Sequence, residues 1–133
     1  MKRLLGIFAV IIVLGTSACQ KTYEQYYTTP NKTIYASINS SDWGTTDNGF
    51  TYSTSITLFQ DDNYYNEFDG ILAYVSYDNG TTYEQIPQTF EGIAFSFTTT
   101  NNAIVVNIQT AENTVAVNPP GTIKMKVVLI PSE

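Results

Sequence analysis

Carboxylates and aromatic rings are concentrated in one stretch, Asp61-Asp62-Asn63-Tyr64-Tyr65-Asn66-Glu67-Phe68-Asp69-Gly70, where any acid-base or metal chemistry has to be sought first. Two carboxyl groups at a suitable separation can hydrolyse a glycosidic bond, one as proton donor and the other as base or nucleophile. Acids this close together on a loop have no specified separation, so Asp61, Asp62, Glu67 and Asp69 do not define such a pair. The same oxygens suit Ca²⁺, which makes Asp61, Asp62 and Asp69 weak calcium candidates. The run is not an EF-hand, because Asn66 stands sixth where that loop needs Gly and no Glu stands twelfth.

The chain has no histidine and one cysteine, Cys19. It therefore lacks the commonest general base, the commonest zinc ligand and any internal disulfide. A serine or threonine nucleophile would need a lysine base, and Lys124 and Lys126 stand on a strand face that reads as solvated. We expect no catalytic residue, no cofactor and no enzyme activity. Trp43, Tyr64, Tyr65 and Phe68 fall on expected loops, where core packing explains a large ring less readily than on a strand. Exposed rings stack on the C–H faces of sugars, so these four are the candidate ligand-binding residues. The preferred expectation for two of them is the other one: Trp43 and Phe68 fold over the open end of the sandwich and fill its core. Richness in tyrosine also suits a protein partner.

Lys2 and Arg3 precede an apolar run from Leu4 to Leu14, broken only by Gly6, and small residues lead from Gly15 to Ala18. That order is a secretory signal, with cleavage expected after residue 18. The run is shorter than the roughly 20 apolar residues a membrane-spanning helix needs. Thr16-Ser17-Ala18-Cys19 resembles the lipobox of bacterial lipoproteins, in which the cysteine becomes the first mature residue and carries diacylglycerol and an amide-linked acyl chain. Thr16 departs from the aliphatic residue usual at that place. Ordinary cleavage after Ala18 is the alternative, and it would leave an unpaired thiol in an oxidising compartment. The resemblance implies a lipidated Cys19, a membrane as partner, and an outer-membrane lipoprotein facing the periplasm or the cell surface. Residues 19–32 lack aliphatic side chains and read as a tether carrying Tyr23, Tyr26 and Tyr27. Twelve acidic residues against six basic ones, a net charge of −6, argue against nucleic acid as a partner.

Residues 33–133 repeat with a period of two, the pattern of strands with one wet face. Ile34, Ala36 and Ile38 alternate with polar residues, and Phe50, Tyr52, Ile56 and Leu58 lie on one side of a second strand expected from Phe50 to Phe59. Ile71 to Tyr77 is apolar on both faces, which predicts an interior strand. Asp78-Asn79-Gly80 is the strongest turn signal, because Asn-Gly tolerates the positive φ angles of a tight hairpin. Thr81 to Ile86 returns as a strand and ends at Pro87. Ile93, Phe95 and Phe97 predict another strand, as do Ile104, Val106 and Ile108. The last strand places Ile123, Met125, Val127 and Leu129 on one face and Lys124 and Lys126 on the other. About seven such strands favour an all-β, antiparallel β-sandwich over a closed barrel.

Several of these segments together carry a second resemblance: the lipobox and tether, Asp42-Trp43 after the first strand, Ile71-Leu72-Ala73-Tyr74-Val75-Ser76 before Asn79-Gly80, the Ile86-Pro87 break, and Lys124-Met125-Lys126-Val127-Val128-Leu129-Ile130-Pro131. This layout is similar to that of a group of small Bacteroidetes lipoproteins of unknown activity. The resemblance implies an immunoglobulin-like sandwich and a place in the cell envelope, and it assigns no functional residue. The function expected is a lipid-anchored, non-catalytic binding or assembly module, whose partner is a glycan or an envelope protein. The alternative is a carbohydrate-binding accessory lipoprotein of a glycan-uptake system.

Overall fold

A computed structural model of the chain describes residues 30–58, 68–100 and 102–131, with residues 68 and 69 described by their backbone alone. The expected leader, Cys19 and nearly all of the expected tether lie outside the described residues. So do Asp61, Asp62, Tyr64, Tyr65 and the side chains of Phe68 and Asp69.

Eight strands follow in chain order: β1 (Lys32–Ile38), β2 (Thr51–Thr57), β3 (Phe68–Ser76), β4 (Glu84–Ile86), β5 (Gln88–Phe90), β6 (Ile93–Thr99), β7 (Ala103–Thr110) and β8 (Ile123–Pro131). One 3-10 turn, Ser40–Asp42, follows β1, and there is no α-helix among the described residues. The strands form two antiparallel sheets ordered β1-β8-β3-β4 and β2-β7-β6-β5. The chain is thus an all-β antiparallel sandwich, as the period of two predicts, and the described strands do not close into a barrel.

Alternation decides which side of each strand is buried. On β8, Ile123, Met125, Val127 and Leu129 are all buried, and on β7 so are Ile104, Val106 and Ile108. These two strands lie inside their sheets, between β1 and β3 and between β2 and β6. Their inward rows join one core with Ala73 and Val75 of β3 and Phe95 of β6. Val117, from the connection between β7 and β8, adds to that core, and its N–H donates to the Gly49 carbonyl at 2.8 Å.

Two details differ from the sequence expectation. Asn79 and Gly80 do have positive φ, 59° and 92°, but they sit in a longer connection, since β4 starts only at Glu84. The two-residue hairpin is made by Glu91 and Gly92 instead, with φ of 49° and 81° between the paired Phe90 and Ile93. Two positive φ values match the right-handed twist of the flanking strands, and Glu-Gly supplies them here without the usual Asn or Asp. The second difference is β5, an eighth strand. The chain leaves one sheet at Ile86, passes a cis peptide at Pro87 and enters the other sheet at Gln88.

Ile104 is fully enclosed between the sheets. Ile104→Ala should cost about 2–5 kcal/mol, because the lining of the cavity relaxes only in part. Urea unfolding checks this, and the midpoint should fall with the slope unchanged.

Candidate functional site

Trp43 ends the 3-10 turn, where an Asp42 carboxylate oxygen accepts the Asn39 N–H at 2.7 Å and the Asp42 N–H donates to the Asn39 carbonyl at 3.0 Å. Beyond it, Gly44 bridges to Ser53 of β2. The turn and bridge aim the indole inward, where it is 7% exposed and part of the core cluster. Its Nε1–H is buried with no hydrogen-bond partner among the described residues. Trp43 therefore presents no face for stacking on a sugar. The other sequence candidates, Tyr64, Tyr65 and the side chain of Phe68, lie outside the described residues.

Two loops share a construction that is visible in the sequence once the hydrogen bonds are known. Thr45, Asp47, Asn48, Gly49 and Thr51 repeat the spacing of Ser76, Asp78, Asn79, Gly80 and Thr82. In the first, the Thr45 hydroxyl donates to the Asp47 carboxylate at 2.9 Å, the Gly49 N–H donates to Thr45 Oγ1 at 3.0 Å, and the Thr51 N–H donates to Asp47 at 2.8 Å. In the second, the equivalent bonds from Ser76, Gly80 and Thr82 measure 2.7, 2.8 and 2.8 Å, and the Thr81 N–H adds one at 3.1 Å. Asn48 and Asn79 have φ of 61° and 59°, the left-handed region that Asn tolerates best after Gly. The Thr82 backbone N–H, with help from the Ser76 hydroxyl, holds the Asp78 carboxyl down to about 2. The Thr51 backbone N–H lowers that of Asp47 in the same way. Both carboxylates are thus occupied in bracing their own loops. Among the described residues, no group of three or more His, Cys, Asp or Glu side chains is placed to hold a metal ion.

The two outward faces differ in chemistry. On the β2-β7-β6-β5 sheet, Ser53 of β2, Asn107 of β7 and Ser96 of β6 lie in one row, and the Ser53 hydroxyl donates to Asn107 Oδ1 at 2.7 Å. On the other sheet, the register sets Tyr35 of β1, Lys126 of β8, Tyr74 of β3 and Gln85 of β4 in one row. The Lys126 ammonium lies 4.3 Å from the Tyr74 ring centre and 4.9 Å from that of Tyr83. Tyr83 meets Tyr35 edge-on at 6.2 Å, and Tyr35 is 67% exposed. The Asp78 loop supports this group: a Cβ on Gly80 would come 3.2 Å from the Tyr83 hydroxyl and 3.5 Å from Cδ of Lys124. Sequence reasoning placed both lysines on an outward face and missed the tyrosines around them. The signal was the set of large outward side chains on strands whose inward residues are aliphatic.

Clefts open at the margins of the sandwich among the described residues. One, of about 290 Å³, runs between β1 and β2, both of which are edge strands. Another, of about 320 Å³, has Tyr77 stacked on Phe90 at 4.1 Å, with Phe95, Glu91 and Pro120 around it. Burial, with the nearby charge of Glu84, pushes the Tyr77 phenol up to about 12. Compared with protein-family models, curated proteins and solved structures, the chain matches none of them.

Burial of the single tryptophan predicts that acrylamide quenches its emission weakly in the folded protein and strongly once urea has unfolded it. Trp43→Ala should cost about 3–5 kcal/mol. Trp43→Phe should cost far less, because it removes the orphaned donor along with some volume. For Asp78 the folded value of about 2 lies below the ordinary 3.8, so its stabilising contribution is complete above 3.8 and disappears as the pH falls towards 2. Asp78→Ala should lower the Tm at neutral pH and flatten its fall over that acid range, which differential scanning calorimetry reads directly.

Proposed function

We propose that this chain is a lipid-anchored protein of the bacterial cell envelope that works as a non-catalytic binding or assembly module, in the manner expected of small Bacteroidetes lipoproteins. The observation that carries the reading is the place of the only cysteine, directly after Ala18 at the end of a cationic and then apolar leader. A thiol at the first mature position is the side chain that forms a thioether to a lipid. Several acyl chains, at about 0.8 kcal/mol per buried CH₂, hold a domain at a membrane durably. Confinement by such an anchor raises the local concentration of a partner, so a modest intrinsic affinity is enough. A sandwich braced by hydrogen-bonded loops suits this role, because a rigid surface loses little freedom on binding.

The second reading, a carbohydrate-binding accessory lipoprotein, is favoured by the tyrosine and lysine row on the outward face of the β1-β8-β3-β4 sheet. It does not rely on Trp43, whose ring is enclosed in the core.

Cys19→Ala tests the anchor. The wild-type chain, expressed in a Gram-negative host, should partition with the outer membrane and carry acyl mass, and the variant should do neither. Equal partitioning of the two, with no acyl mass on the wild type, would sink the reading.

A further inference from the structure

We propose that the outward face of the β1-β8-β3-β4 sheet binds acidic saccharides, with Tyr35 and Tyr83 stacking against sugar rings and Lys126 and Lys124 receiving their carboxylates. This rests on the carbohydrate-binding form of the function proposed above and names its ligand class.

Charge is the first support. The chain has six Lys and Arg against twelve acids, and two of those six stand side by side in alternation on β8 and project from one face. Neither Lys124 nor Lys126 has an ion-pair partner among the described residues. Lys126 is instead held between the Tyr74 and Tyr83 rings by cation–π attraction, at 4.3 and 4.9 Å. That contact fixes the position of the charge without neutralising it, and the ammonium keeps hydrogen-bond donors for a ligand. A local cationic spot on an acidic protein selects an anionic partner.

Ring geometry narrows the class. Tyr35 is 67% exposed on an edge strand and stands opposite Lys126, the separation of a directly opposed cross-strand pair being about 4.5–5.5 Å. Tyr35 and Tyr83 meet at an interplanar angle of 61°, which makes a corner and not a flat platform. A pyranose can lie against one ring of such a corner while the carboxylate on its rim reaches the ammonium. Gln85 ends the row and offers an amide for hydroxyl groups.

Other anionic partners fit less well. Nucleic acid needs more cations than two in a chain of this charge. Attraction of this face to an anionic bilayer takes a cluster of about four or more basic residues, and two lysines fall short of that; the acyl anchor proposed at Cys19 would hold the chain at a membrane without this face. An extended acidic peptide gains its affinity from backbone pairing at a free sheet edge, not from a sheet face. Against the hydroxyl and amide face of the opposite sheet, only this one joins rings to cations.

The test is calorimetric titration of the full chain in non-ionic detergent with three uronate hexasaccharides: galacturonate, alginate and chondroitin. Fully methyl-esterified oligogalacturonate serves as the neutral control and inorganic phosphate as the competitor. At least one acidic oligosaccharide should bind, weakening as salt rises. Loss of either charge, the carboxylate by esterification or the ammonium by Lys126→Gln, should weaken binding about tenfold or more. Tyr35→Ala should weaken the acid and the ester alike, and all variants should keep the wild-type Tm. Lys124→Gln replaces Lys126→Gln if the latter fails to fold. If the acid and its ester bind equally, the anionic inference is overturned while a glycan-binding function stands. If none of the three binds, or if phosphate displaces them at equal concentration, the saccharide site is overturned. The acyl anchor at Cys19 is read separately and is untouched by any of these results.

Discussion

Burial of the inward rows of β7 and β8 is the interaction on which everything else in this molecule depends. Met125, Val127 and Leu129 on one side and Ile104, Val106 and Ile108 on the other have no exposed surface. Burying each such side chain is worth about 1.5–3 kcal/mol. Both strands are interior to their sheets, so they also hold the edges: among the described strands β1 pairs with β8 and β2 with β7, and β2 gains beyond that the single bridge from Gly44. A polar residue in either row would therefore weaken both the core and the strand paired outside it. The same burial restricts the outward rows, because with a period of two the register that buries Val127 must expose Lys126.

Stiffness at the ends has a different source. The loops around Asp47 and Asp78 each bury little apolar surface and are braced by one carboxylate that accepts N–H and hydroxyl donors from its own loop. Such bracing lets short segments with left-handed residues hold a single shape. In the Asp78 loop the consequence reaches the surface. Gly80 comes close to both Tyr83 and the stem of Lys124, so the loop helps set where the aromatic and cationic group stands. Trp43 shows the opposite compromise, a large ring that completes the core while its indole N–H has no partner among the described residues.

The two outward faces give the sandwich a direction. One offers hydroxyls and amides that already bond to one another, as Ser53 does to Asn107. The other offers rings and two lysines with no carboxylate to answer them among the described residues. Core packing requires neither arrangement, since both faces lie outside the core.

Strand character, inward rows and the sandwich class were legible in the sequence because alternation is local: Ile123, Met125, Val127 and Leu129 announce their face with no knowledge of what lies opposite. The interior position of β3 was legible for the same reason, from apolar residues on both sides of Ile71 to Tyr77. Turn signals were legible as bends but not as connections. Whether a pair with positive φ closes two residues or sits in a longer loop depends on where the next strand finds its partner, and that separated Asn79-Gly80 from Glu91-Gly92. The switch of sheets at Pro87 depended likewise on packing, whereas the burial of Trp43 agrees with the core-filling expectation. The row of Tyr35, Lys126, Tyr74 and Gln85 belongs to the tertiary structure, because it is assembled by the hydrogen-bond register of β1 and β8 with the consecutive strands β3 and β4, which lie far from both in the chain. Period-two patterning determines which side a residue faces, and only pairing between distant strands determines its neighbours.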